Sequence, residues 1–218
     1  MQTSLRDETS DFRFRGDARP RAKAVLAYVI LGTIAGLAVY AHGDDPFRTT
    51  PAFVGLERPL AIPLSIGLGL LASVATIAYT RGFAMRSERA RALVDSLRPS
   101  VVDASTRTLV VMALLSGVAE EIIFRGALVP WVGIVPSAVA FGLLHQVRGK
   151  ARWYWATWAF VMGLAFGAIF RVTGELAGAI VLHVVVNAHN LLFVRDGEPV
   201  YDDRRDPRGD DPHGDGRQ

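Results

Sequence analysis

The stretch Gly117-Val118-Ala119-Glu120-Glu121-Ile122-Ile123-Phe124-Arg125-Gly126 sets two carboxylates and a guanidinium inside an apolar run from Leu109 to Trp131. Ionisable side chains in such a setting cost at least ~2.5 kcal/mol each at the centre of a membrane helix, and they mark functional sites. Glu121 and Arg125 are four apart, so on a helix they share a face and pair. Glu120 is rotated from Glu121 by about 100°, which leaves it free to point elsewhere. Two more polar interruptions follow. His145 closes Phe141-Gly142-Leu143-Leu144-His145, and His183 and Asn187 stand four apart in His183-Val184-Val185-Val186-Asn187. Two histidines, an asparagine and a free glutamate on three separate helices are harder to dismiss as packing residues than any one of them alone. Polar sets of this kind converge inside a bundle or line a wet cavity. The plainer reading of Glu121 and Arg125 is an ion pair that fixes packing. His189 and Asn190 read as structural, His42 as a solvated loop residue and His213 as an inert tail residue.

The elements that must carry these residues are apolar and long. Half of the 218 residues are hydrophobic and the mean hydropathy is +0.27, ordinary for a small polytopic membrane protein. The chain has no cysteine, which excludes disulfides, thiolate catalysis and zinc–thiolate sites. The spacing predicts an all-α transmembrane bundle of about six spans: Ala24 to Ala41, Leu60 to Thr80, Leu109 to Val129, Val132 to Val147, Trp153 to Phe170 and Leu176 to Val194. The first run is read as an uncleaved membrane helix rather than a signal peptide, because further apolar runs follow it. Residues 1–23 and 195–218 read as flexible tails, and 42–59 as a loop. Residues 81–107 are a basic connector with some helical spacing, Pro130 to Gly133 is a tight turn, and Gly174 ends a helix. The organisation is thus a tail, two spans with their connector over 24–107, a site-bearing bundle over 108–194 and a second tail.

Charge orients the bundle. Of the 24 Lys and Arg, 20 lie in 1–23, 81–107, 148–152 and 195–218, while Arg48, Arg58 and Arg171 fall on the opposite side and Arg125 within the membrane. The positive-inside rule puts both termini in the cytoplasm, with a lipid bilayer and not nucleic acid as the partner of this basic chain. Trp131 and the pair Trp153 and Trp155 fall at the two predicted interfaces.

The set Glu120-Glu121-x-x-x-Arg125, Phe141-x-x-x-His145 and His183-x-x-x-Asn187, in order on successive apolar segments, resembles the CAAX-prenyl protease and bacteriocin-processing (CPBP, or Abi) intramembrane proteases. The resemblance covers roughly residues 108–194 and extends to Phe124-Arg125-Gly126 and Thr173-Gly174. It implies a membrane endopeptidase acting on a peptide or membrane-associated protein. In that family pattern Glu120 and His145 activate the water, and His183 and Asn187 stabilise the oxyanion. Glu121 and Arg125 brace the site, and Phe141 packs beside it. It also leaves zinc possible, since two histidines and a glutamate are the ligand types of a catalytic zinc site, although no HExxH helix is present. The alternatives are a non-catalytic scaffold of the same fold and a small transporter or proton relay. The lack of an internal repeat weighs against the last. Substrate identity and oligomeric state are not legible.

One distance stands against convergence. Glu120 is 13 residues from Arg107, roughly 20 Å of helix, whereas His145 is three from Arg148, roughly 5 Å. Straight helices would keep them apart. The fourth span must be recessed, or the 148–152 loop must dip inward, or His145 lies outside the site. A cavity open to the cytoplasm would accommodate either of the first two.

Overall fold

A computed structural model describes residues 18–49, 52–82, 84–147 and 149–197. The fold is all-α, and among the described residues the sole extended pairing is an isolated bridge between Arg48 and Glu175. Helices α1 (Ala18–Ala41) and α2 (Arg58–Gly82) are followed by a short amphipathic α3 (Glu88–Leu97). Helix α4 (Thr106–Glu121) runs through a π-helical segment (Ile122–Leu128) into α5 (Val129–Val132). Then come α6 (Ile134–Leu144), α7 (Arg152–Thr173) and α8 (Ala177–Asp196). Three helices, α2, α7 and α8, are long and apolar enough to cross a membrane; Val25–Ala41 and Ile134–Leu144 are shorter apolar helices. Large apolar side chains cover the outer faces of α1 and α2, among them Leu26, Ile34, Leu37, Leu71 and Val74. Such a surface suits lipid rather than water.

Helix α8 is the element against which α2, α4 and α7 pack. Gly69 and Gly178 let α2 touch it backbone to backbone: a Cβ on Gly178 would stand 2.0 Å from the Ser65 carbonyl oxygen. Ser65 Oγ accepts from Gly178 N–H and donates to the Glu175 carbonyl, so this approach carries no stranded polar group. Gly117 does the same for α4, where a Cβ would meet Val184 Cγ2 at 2.9 Å. The core between α6, α7 and α8 is built from Phe141, Phe166, Phe170, Leu176 and Leu182.

The two ends of the bundle differ in the way the charges suggest. At one end the loop after α1 is sewn to the α7–α8 turn, with Thr49 N–H on the Gly174 carbonyl and Leu176 N–H on the Phe47 carbonyl. Buried Glu175 lies there at ion-pair distance from Arg48 (3.6 Å) and Arg58 (3.5 Å). Burial pushes its carboxyl up, while the two guanidinium groups pull the other way. At the other end α3 and the connector pack near the end of α8, where Arg195 donates to the Ala104 carbonyl and Thr106 Oγ1.

Several boundaries differ from the sequence expectation. Helix α1 begins at Ala18, inside the stretch read as tail, and α8 reaches Asp196. The remaining parts of both tails, His213 included, lie outside the described residues. Pro130 sits at the start of a helical turn, where its missing N–H is harmless, and the chain reverses at Gly133, whose φ of 86° suits glycine. Gly174 closes α7 in the left-handed region as anticipated. The fourth apolar segment is the largest departure. Its helix stops at Leu144, about 17 Å in 11 residues, little more than half a ~30 Å hydrocarbon core.

Candidate active site

The α-to-π transition falls directly after the two glutamates, with Glu121 ending α4 and Ile122 opening the π segment. Single π-turns cost backbone geometry and collect at functional sites. Here the backbone is held from outside. Ser137 Oγ on α6 donates to the Phe124 carbonyl at 3.0 Å, and Gly126 is pressed against the loop at Pro46, where a Cβ would stand 2.3 Å from the Pro46 carbonyl oxygen.

Glu121 and Arg125 pair across this transition, Nη1 donating to Oε1 at 3.0 Å, with both side chains fully buried. Arg125 Nη2 also donates to the Gly163 carbonyl at 3.1 Å and so ties the π segment to α7. Its guanidinium lies 4.6 Å from the Phe141 ring centroid and 4.7 Å from that of Phe166. The same Glu121 Oε1 accepts from His183 Nδ1 at 2.7 Å. The close pass of α8 at Gly117 makes that contact reachable. Phe166 stacks on the His183 ring, centroids 4.8 Å apart and planes 7° from parallel.

His145 reaches this depth because α6 is short and gives way to non-helical backbone at the histidine itself, with φ −90° and ψ 76°. Its Nδ1 donates to the Phe141 carbonyl at 2.7 Å. The ring packs on Phe141 and against the edge of Trp155. Both a short fourth helix and non-helical backbone at its end thus contribute to the position of His145.

With both Nδ1 atoms engaged as donors, the imidazoles turn their Nε2 atoms to the cavity. These face one oxygen: Glu120 Oε2 is 3.6 Å from His145 Nε2 and 3.7 Å from His183 Nε2. That oxygen is buried and has no hydrogen-bond partner among the described residues. Glu120, His145, His183 and Asn187 all line one cavity of about 520 Å³, which extends past Phe141 to Arg81, α3 and the connector. His189 and Asn190 accept hydrogen bonds from Arg81 at its edge, in keeping with a structural role. His42 is exposed and rests edge-on against Trp131.

Zinc was open on the sequence. The donor types suit it, and an orphaned carboxylate oxygen between two Nε2 atoms is the feature a ligand would exploit. Among the described residues, however, no three His, Cys, Asp or Glu side chains are arranged to hold a metal ion.

Sequence reasoning missed three contributors. Phe166 and Gly163 lie in a run of apolar and small residues on α7, where nothing distinguishes them from packing residues. Tyr28 on α1 lines the same cavity as Glu120; only its position one turn before Gly32 gives it a shared face with that glycine.

An all-α bundle with apolar outer faces and a carboxylate–imidazole cluster walling an internal cavity has the build of a membrane hydrolase. Residues 103–189 match the family model described as Type II CAAX prenyl endopeptidase Rce1-like, which is the family the three motifs resemble. That stretch holds Glu120, Glu121, Arg125, Phe141, His145, His183 and Asn187, and the matched family is one of CAAX-type endopeptidases. No curated protein and no solved structure matches the chain.

Proposed function

We propose that the chain is a multi-pass intramembrane endopeptidase that hydrolyses a peptide bond of a membrane-associated substrate with a water activated by Glu120 and His145. The observation that carries this reading is the unpartnered Glu120 Oε2 facing two Nε2 atoms across 3.6 and 3.7 Å. A water there donates one hydrogen to Glu120 and the other to His145 Nε2. Its oxygen attacks the scissile carbonyl as Glu120 takes the proton, which then passes to the leaving amine. Asn187, one turn along α8 from His183, donates its amide to the oxyanion, and His183, held against Glu121, completes that side of the site. Glu121, Arg125 and Phe141 keep the imidazole and the carboxylate in register. Each of these steps is made by side chains alone.

The cavity wall is apolar beyond the cluster, with Met112, Trp158, Met162 and Val186 among its residues. A substrate with an apolar segment or lipid chain next to its scissile bond fits that lining, and the matched family is named for prenylated substrates. Both termini and the cavity mouth face the cytoplasm in this reading, as the basic residues indicate.

The test uses purified full chain in nanodiscs with a fluorogenic farnesylated peptide ending in a CAAX sequence, and the same peptide without the lipid. Wild type cleaves at least one of them, and Glu120→Gln loses most of the rate while melting at the wild-type temperature. A Glu120→Gln protein that cleaves at the wild-type rate refutes the mechanism. A wild type inert on both leaves the non-catalytic scaffold as the better reading.

A further inference from the structure

Helix α1 lies outside the matched segment 103–189, yet it touches the site. Tyr28, Gly32 and Gly36 recur every fourth residue and so share one face of α1. A Cβ on Gly32 would stand 2.8 Å from Ala119 Cβ, and one on Gly36 3.6 Å from Ile122 Cγ2. Ala119 and Ile122 flank the two glutamates. The two glycines therefore let α1 lie directly on the helix at the point where Glu120 leaves it. One turn before Gly32 on the same face, Tyr28 lines the same cavity as Glu120, so the contact of α1 on Ala119 brings its phenol to the wall that carries the carboxylate. The two imidazoles at the cluster stand 3.6 and 3.7 Å from Glu120 Oε2.

We infer that Tyr28 is a positioning residue of the site, its phenol donating to Glu120 and holding Oε2 toward His145 and His183. This rests on the peptidase reading of Glu120. A phenol suits the task because it donates one directed hydrogen bond without bringing a cation. An arginine there would neutralise the carboxylate, as Arg125 does for Glu121; the phenol leaves Glu120 able to take a proton from water. The inference makes α1 part of the catalytic apparatus rather than a lipid anchor, with the Gly32 contact on Ala119 setting the distance.

The experiment incorporates 3-fluorotyrosine into the full chain in nanodiscs. The chain has five tyrosines, and the ¹⁹F resonance lost in Tyr28→Phe identifies Tyr28. The expected result is that Glu120→Gln shifts that resonance and leaves the others in place. Tyr28→Phe lowers kcat on whichever peptide the wild type cleaves by about 10- to 100-fold, as for losing a hydrogen bond to a charged group, with KM and Tm unchanged. Gly32→Val, which lifts α1 from Ala119, lowers kcat in the same way and adds little when combined with Tyr28→Phe. The inference is overturned if Tyr28→Phe keeps the wild-type kcat, if its effect falls on KM alone, or if the Tyr28 resonance ignores Glu120→Gln. A wild type inert on every peptide overturns the peptidase reading instead, which sets that failure apart from a wild type that cleaves and a Tyr28→Phe variant that cleaves equally well.

Discussion

Arg125→Ala separates bracing from chemistry. The guanidinium is fully enclosed, bonded to Glu121 and to the Gly163 carbonyl and sandwiched near Phe141 and Phe166. Truncation leaves the Glu121 carboxylate buried against the His183 imidazole and cuts the tie to α7. Removing one partner of a buried pair costs about 3–5 kcal/mol, a large share of a typical total of about 5–15 kcal/mol. At about 2–4 °C per kcal/mol for a chain of this size, Tm falls by roughly 6–20 °C. Tryptophan fluorescence in detergent during heating reads this directly. The double variant Glu121→Gln/Arg125→Met keeps an acceptor for His183 Nδ1 and fills the volume without charge, so most of the lost stability returns. An Arg125→Ala protein that melts within about 2 °C of wild type but no longer hydrolyses would show that Arg125 acts in the reaction. A double variant no more stable than the single one would refute the ion-pair account.

Gly117→Val places a Cβ 2.9 Å from Val184 Cγ2 and 3.6 Å from His183 Cγ; overpacking of about 1–3 kcal/mol pushes α8 off α4, and both Tm and hydrolysis should fall, whereas an unchanged rate would separate helix spacing from activity. Asn187→Ala should lose about 10²–10³-fold in kcat if its amide is one oxyanion donor, with KM and melting unchanged; a loss confined to KM would place it in substrate binding. Reporter fusions after Arg107 and Arg195 should both report cytoplasm and one after Phe47 the outside, and a cytoplasmic signal at Phe47 would sink the proposed topology.

The helical class and the polar residues of the site were legible because each breaks an apolar run, and apolar runs are the loudest signal in such a chain. The ion pair at spacing four was equally plain. Depth was not. Counting ~1.5 Å per residue assumes straight helices, and His145 escapes that ruler because α6 ends after Leu144. Nor does any residue type announce the π segment. Ile122 to Leu128 is composed like ordinary membrane helix, and its register is imposed by Ser137 and by the loop at Pro46, which are distant in sequence. Tyr28 was invisible for a related reason: a tyrosine in a first membrane helix has the composition of an anchor, and only the packing of Gly32 on Ala119 gives it a target.

Adjacent carboxylates meet opposite surroundings because the helix turns about 100° between them. Glu121 faces α7 and α8, where a guanidinium and an imidazole N–H consume its Oε1. Glu120 faces the cavity whose wall includes Tyr28, and its Oε2 stands 3.6 and 3.7 Å from the Nε2 atoms of His145 and His183. Exchanging the two environments would require rotating the helix by one residue, and the π segment forbids that rotation, since Phe124 is fastened by Ser137 and Gly126 is jammed on Pro46. The division of labour between the glutamates is therefore enforced by elements that touch neither of them. One oxygen of Glu120 has no partner among the described residues, in an interior where unpartnered polar atoms are expensive, and the Nδ1 donors of the two imidazoles that face it are committed elsewhere, that of His145 to Phe141 and that of His183 to Glu121.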